Sequence, residues 1–130
     1  MAQLVIKGHH TRGNEVIASL EMLGGKNTYN LKGDEKYAYY TIDRYGDIRG
    51  DIYIYGDDNN VVCFTLEIFE DKFPYKVGDK VIIKCKNKEA IVDKVYWYCD
   101  TITYWLKYDG FIEGNWRAEH LQTYKEETFN

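Results

Sequence analysis

Apolar positions near the start of the chain recur at the three- and four-residue spacing of an α-helix. The stripe lies within HTRGNEVIASLEMLGGKN and consists of Val16, Ile17, Leu20 and Leu23. A stripe of this kind packs against a core, so we expect a helix over about residues 12–23. Thr11 is the candidate N-cap, and the glycines at 24–25 supply the C-terminal stop. A short apolar run at 4–7 predicts a strand before the helix.

Alternation with a period of two replaces the helical spacing between residues 37 and 64. Its Tyr-, Ile- and Val-rich runs are broken at two YGD triplets, where glycine supplies a positive φ and aspartate closes a turn. We therefore expect an antiparallel meander. Helical spacing returns in TLEIFEDKF, which predicts a short helix over about 66–72, capped by Thr65 and ended before Pro74.

A second block of alternating runs occupies residues 74–124, from the boundary segment FPYKVGD onwards. It predicts five short strands that form a small barrel, with residues 125–130 as a charged tail. Residues 1–73 form the other half of the chain. The predicted fold class is α+β: an N-terminal helix with an antiparallel meander, followed by a small five-stranded β-barrel.

Within this block, DKVYWYCDTITYWLKY at 93–108 predicts a hairpin with two different surfaces. If Asp100 and Thr101 form its loop, one surface is continuously apolar and should face the core. That surface consists of Val95, Trp97, Cys99, Ile102, Tyr104 and Leu106. The opposite surface carries the candidate binding residues, which are Lys94, Tyr96, Tyr98, Trp105 and Lys107. In this register Tyr96 faces Trp105 and Lys94 faces Lys107.

Two interpretations of the second surface remain open. It is either a second core, covered by the N-terminal half, or an exposed surface that binds a ligand or partner. Exposed tyrosine and tryptophan rings stack on a base, an aromatic side chain or a cation, and lysines orient an anionic or polar partner. The accessibility of Tyr96, Tyr98 and Trp105 decides between the two interpretations.

Composition narrows the function classes. Aromatic residues make up 16% of the 130 residues, with 13 tyrosines, and tyrosine suits sheets and interfaces. The formal net charge is -4, because residues 1–70 hold 7 Lys/Arg against 11 Asp/Glu while residues 71–130 hold 10 of each. Neither half has the excess of positive charge expected of a protein that binds the phosphates of a nucleic acid.

No motif in the sequence points to catalysis, a metal or a cofactor. Neither GxxxxGK[ST] nor GxGxxG occurs, so the usual phosphate-binding loops are absent from the sequence. Cys63, Cys85 and Cys99 are widely spaced and odd in number, which is typical of reduced cytosolic thiols and not of disulfides or zinc sites. The N-terminus lacks the apolar core of a signal peptide. We expect a cytoplasmic protein that is not an enzyme and has no membrane association.

Two resemblances add to this picture. The segments YKVGDKVIIK, EAIVDKVYW, ITYWLKYDG and NWRAEHL resemble Src-homology-3-like and Tudor-like barrels over about residues 75–124. In that resemblance a VGDKV strand opens the fold, Trp116 and Leu121 close it, and Glu89 replaces a glycine usual in nucleic-acid-binding relatives. Through TRGNEVIASLEMLGGKN, YYTID and FPYKVGDKV, the whole chain resembles small uncharacterised phage and prophage proteins of gut Bacteroidales. This implies an accessory protein that is made in a bacterial cytoplasm and acts on host or defence components.

The sequence therefore predicts a non-enzymatic binding protein that acts through protein contacts, self-association included. The first alternative is an oligomer that sequesters a nucleotide-type signalling molecule between its subunits. The second alternative is a weak binder of single-stranded nucleic acid, whose affinity would fall steeply with added salt.

Overall fold

The computed structural model describes residues 3–53, 60–98 and 101–124. Within these ranges the elements are, in chain order, β1 (Gln3–Lys7), α1 (Gly13–Met22), β2 (Tyr39–Ile42), β3 (Ile48–Asp51), β4 (Val61–Phe64), α2 (Leu66–Lys72), β5 (Lys80–Ile83), β6 (Lys88–Tyr98), β7 (Thr101–Tyr108), β8 (Phe111–Trp116), a 3₁₀ turn (Ala118–His120) and β9 (Leu121–Thr123). The described strands form an N-terminal sheet in the order β3-β2-β1-β4 and a C-terminal sheet in the order β8-β7-β6-β5-β9. The α+β fold class is confirmed.

Helix α1 covers one face of the N-terminal sheet. Its predicted stripe is buried as expected, and it packs with Leu4, Ile6 and Ile48 in the core. The predicted N-cap is wrong, because Arg12 occupies that position. Instead, Nδ1 of His9 accepts from the backbone amides of Thr11 at 3.2 Å and Arg12 at 3.0 Å, so an imidazole fixes the chain before the helix.

The N-terminal sheet is only partly the predicted meander. Strands β2 and β3 form the expected antiparallel hairpin, with Ile42 paired to Ile48. Strand β4 departs from the meander, because it crosses to the far side of β1 and pairs parallel with it, Ile6 opposite Phe64. This crossing makes β1 a central strand with Leu4, Val5 and Ile6 all buried. The second YGD triplet, at 55–57, lies outside the described residues.

Helix α2 confirms the prediction made for TLEIFEDKF. Thr65 is its N-cap, and the threonine hydroxyl accepts from the amide of Ile68 at 3.2 Å. Leu66 and Phe69 are buried in the same core as α1. The helix ends at Lys72, two residues before Pro74, in keeping with the bias of a pre-proline residue against helical angles.

The C-terminal sheet contains the predicted strands but is open along the described chain. After β8, the 3₁₀ turn carries the chain to the far edge, where β9 pairs with β5 through Ile83 and Leu121. Strands β8 and β9 are therefore the two edges, and no described pairing closes a barrel. The resemblance to Src-homology-3-like barrels stays a prediction.

The hairpin of β6 and β7 forms with a register that differs from the prediction. Tyr98 pairs with Thr101, so Thr101 belongs to the strand and not to the loop, and residues 99–100 lie outside the described ranges. The predicted pairs of Tyr96 with Trp105 and Lys94 with Lys107 are wrong, since Lys94 lies opposite Trp105. Because the shift is by two residues and side chains alternate with a period of two, each residue keeps its predicted face.

Candidate binding surface

The predicted site residues lie on the face of the C-terminal sheet that points away from the core. We call this the outer face, and its predicted members are Lys94, Tyr96, Tyr98, Trp105 and Lys107. The exposed fraction is 50% for Tyr98 and 41% for Trp105, and Tyr96 is half-buried. Both lysines are exposed. The interpretation of this face as a second core under the N-terminal half is therefore wrong.

The N-terminal half packs against the opposite face of the hairpin. Val95, Ile102, Tyr104 and Leu106 are buried there, as predicted. Trp97 is half-buried on the same side, with its ring edge-on to Phe64 of β4 at 6.3 Å between centroids. Cys99, which was assigned to this face, lies outside the described residues.

Tyr96 is the centre of the aromatic cluster on the outer face. Its ring centroid lies 6.0 Å from that of Trp105 at 76° and 6.2 Å from that of Tyr98 at 51°. These are the edge-to-face and tilted arrangements that aromatic pairs favour. The Tyr96 hydroxyl donates to the side-chain Oδ1 of Asn115 at 2.7 Å and accepts from the backbone amide of Asn115 at 3.1 Å. Strand β8 thus fixes the central ring of the cluster.

A glycine in β8 creates the space for the indole of Trp105. A Cβ at Gly114 would lie 2.8 Å from Nε1 and 2.9 Å from Cε2 of Trp105, so the ring rests against bare backbone. The neighbouring Asn115 has φ 68°, within an irregular stretch of the β7–β8 pairing. The sequence EGNW therefore shapes β8 around the two rings of the hairpin.

Two isoleucines extend the outer face beyond the predicted residues. Lys107 pairs with Ile91 on β6 and with Ile112 on β8, which places all three side chains on one side of the sheet. The exposed fraction is 43% for Ile91 and 51% for Ile112. Sequence reasoning missed Ile91 because it did not anticipate the irregularity between Val92 and Lys94, although burial of Val92 implies that its neighbour faces outward.

The outer face carries two exposed lysines. Neither Lys94 nor Lys107 forms an ion pair with any residue in the described ranges. Lys94 lies across from Trp105, and Lys107 lies between the two isoleucines. The outer face therefore combines apolar area with two positive charges.

Elsewhere in the described chain, polar clusters serve the fold. No group of three or more His, Cys, Asp or Glu side chains comes together there in an arrangement that would hold a metal ion. Asp43 accepts from the amides of Tyr45 at 2.9 Å and Asp47 at 3.0 Å, and also from Arg49. Burial opposes ionisation of Asp43, but these hydrogen bonds prevail and lower its pKa. This carboxylate closes the β2–β3 turn.

No protein-family model, curated protein or solved structure matches the chain. Of the helices in the described ranges, none has the length and apolarity required to cross a membrane.

Proposed function

We propose that the chain is a non-enzymatic binding protein that contacts a protein partner through the outer face of its C-terminal sheet. The first partner to test is a second copy of the chain. The observation that carries the proposal is the exposure of Tyr98 and Trp105 around a central ring that is already fixed by Asn115. Pre-ordered aromatic side chains lose little conformational entropy on binding, so they are effective contact residues.

The size of the apolar area sets the expected affinity. Tyr98, Trp105, Ile91 and Ile112 each expose between 41% and 51% of their surface. At roughly 80–100 Å² each, they offer about 350 Å² per protomer, well below the roughly 800 Å² that a standard interface buries on each partner. Contact through this face alone is therefore transient, with an expected dissociation constant on the order of 10–100 μM.

Sedimentation velocity from about 5 μM to about 500 μM tests self-association over that range of affinity. We expect the weight-average sedimentation coefficient to rise with concentration for the wild-type chain. Ile112→Lys adds a charge to the outer face at an exposed position on an edge strand, and it should abolish the rise. Tyr45→Ser, at a residue that is 69% exposed in the other half, is the matched control and should behave as wild type. A wild-type chain that stays monomeric throughout would refute self-association.

A cleft between the two halves of one chain suggests a second candidate, a nucleotide-type ligand bound within the protomer, whereas the alternative predicted from the sequence places that ligand between subunits. The cleft has a volume of about 380 Å³, and its lining includes the rings of Phe73 and Trp97, the cations Lys72 and Arg117, and the acid Glu119, which lies 3.9 Å from Arg117. Rings that stack on a base and cations that contact a phosphate are the groups a nucleotide requires. Thermal melts with nucleotides and cyclic nucleotides should then show stabilisation that grows with ligand concentration and is lost in Arg117→Ala. Melting temperatures unmoved by every ligand would remove this candidate.

The phage-like origin of the chain and its place in a bacterial cytoplasm stay predictions. They are compatible with an accessory protein that acts by contact, which is the function proposed above.

A further inference from the structure

A groove separates helix α1 from helix α2 and the segment that follows it. Its volume is about 590 Å³, within the range of about 300–1,000 Å³ usual for ligand sites. One wall comes from α1 and consists of Glu15, Ala18, Ser19 and Met22. These positions have the spacing i, i+3, i+4 and i+7, so they form a single stripe about 10 Å long, or two helical turns. The groove is independent of the outer face.

The floor of the groove is apolar, and apolar side chains also contribute to its second wall. Leu66 and Phe69 of α2 form part of the lining and are anchored in the core, with exposed fractions of 1% and 2%. Phe73 is half-buried, and Val77 on the far wall is 54% exposed. The fixed floor and the open wall together leave a preformed channel on the surface that is apolar at its base.

The rim of the groove carries three carboxylates and two cations, an excess of one negative charge. Glu15, Glu21 and Glu70 line it, against a single lining cation, Lys76. The guanidinium of Arg12, at one end, binds Glu15 and lies 2.8 Å from the Glu70 carboxylate. At the other end, the Glu21 carboxylate has no ion pair with a described residue. The surplus of acid over base in the first seventy residues, 11 against 7, adds to the negative field.

The geometry points to a short basic protein segment as the occupant, bound as a helix that places apolar side chains in the channel. A helix two turns long presents such side chains along the same length as the α1 stripe, which is the helix-in-groove mode of recognition. A lysine or arginine residue on its flank would lie against Glu21, the rim carboxylate that has no ion pair with a described residue. A fatty-acid carboxylate or an acidic peptide would meet the unpaired carboxylate of Glu21 at this end of the rim.

Fluorescence anisotropy with a labelled helical peptide tests this inference. The probe carries leucines at i, i+3, i+4 and i+7 and lysines elsewhere, and its counterpart has glutamates in place of the lysines. In about 0.15 M salt we expect the basic probe to bind and the acidic probe to fail. Ala18→Trp, which fills the groove from the exposed side of α1, should weaken binding at least about tenfold. Glu21→Lys should weaken it about threefold, because it removes the rim charge that lacks an internal partner.

Asp71→Lys provides the matched control for charge. It makes the same change in net charge on helix α2, at an exposed position outside the groove lining, and should leave the affinity within about twofold. If Ala18→Trp does not give the wild-type circular dichroism spectrum, Val77→Lys blocks the opposite wall and should weaken binding to a similar extent. Equal binding of the two probes, unchanged affinity in the groove-blocking variant, or no binding of the basic probe at about 1 mM would each overturn the inference.

Discussion

Substitution of Gly114 by alanine tests whether strand β8 is shaped around the Trp105 indole. The added Cβ would lie 2.8 Å from Nε1 of Trp105, so the ring must move. Trp105 is 41% exposed, which leaves about 100–150 Å² of its side chain buried. Displacement of a third to a half of that area costs about 1–2 kcal/mol at ~25 cal/mol per Å².

A second effect of the same substitution opposes this cost. Alanine in a strand is favoured over glycine by about 0.5–1 kcal/mol, because glycine loses more backbone entropy on folding. The steric cost is the larger of the two, so we expect Gly114→Ala to lower the free energy of unfolding by about 0.5–1 kcal/mol. In a Trp105→Thr background the clash disappears, and the same substitution should stabilise the chain by about 0.5–1 kcal/mol.

Urea unfolding of the wild type, Gly114→Ala, Trp105→Thr and the double variant measures the coupling free energy between positions 114 and 105. We expect a coupling free energy of about 1–2 kcal/mol, together with a red shift of tryptophan emission in Gly114→Ala alone. A coupling below about 0.5 kcal/mol is the size that independent sites show. That result would refute the claim that Gly114 creates the space for the ring.

Further predictions concern the N-terminal half. Gly13→Ala should destabilise the chain by about 3 kcal/mol in urea unfolding, because the added Cβ would lie 2.0 Å from the carbonyl oxygen of Gly33. An unfolding midpoint equal to that of the wild type would contradict this close approach. Thr65→Ala should cost about 1 kcal/mol in the same assay through loss of the α2 cap, whereas Thr65→Ser should cost little. The lowered pKa of Asp43 predicts stability that is fully present above the unfolded pKa of about 4 and is lost as the pH falls through the folded value. In Asp43→Asn the free energy of unfolding should therefore decrease less steeply than in the wild type as the pH falls below about 4. The same pH dependence in both proteins would show that the hydrogen bonds from Arg49 and the backbone amides to Asp43 do not contribute to it.

Local periodicity was enough to predict the helices and the two faces of the hairpin. The stripe of α1 and the cap of α2 depend on residues close in sequence, and face assignment depends only on alternation. The register could not be predicted from alternation alone, because the residues between the two strands include no glycine, which is the residue that fixes a two-residue turn. The predicted register was wrong by two residues, so every predicted cross-strand pair was wrong, whereas the predicted face of each residue was correct.

Features made by distant segments could not be predicted in the same way. The parallel pairing of β4 with β1 joins segments almost sixty residues apart, and nothing within VVCF specifies that partner. The groove likewise forms only where α1 packs near α2 and the segment after it, and the sequence predicts each helix without predicting that contact. The role of Gly114 depends on the position of a ring in another strand, so the EGNW segment alone gave no sign of it.

Hydroxyl-radical footprinting at low and high protein concentration tests most directly whether the outer face is a contact surface. We expect Trp105 and Tyr98 to be oxidised less at about 500 μM than at about 5 μM. Oxidation is normalised to Tyr45, which is 69% exposed in the N-terminal half. The protection should disappear in Ile112→Lys. Equal oxidation of Trp105 and Tyr98 at both concentrations, in a sample that sedimentation shows to be associated, would contradict the account and assign the contact to another part of the molecule.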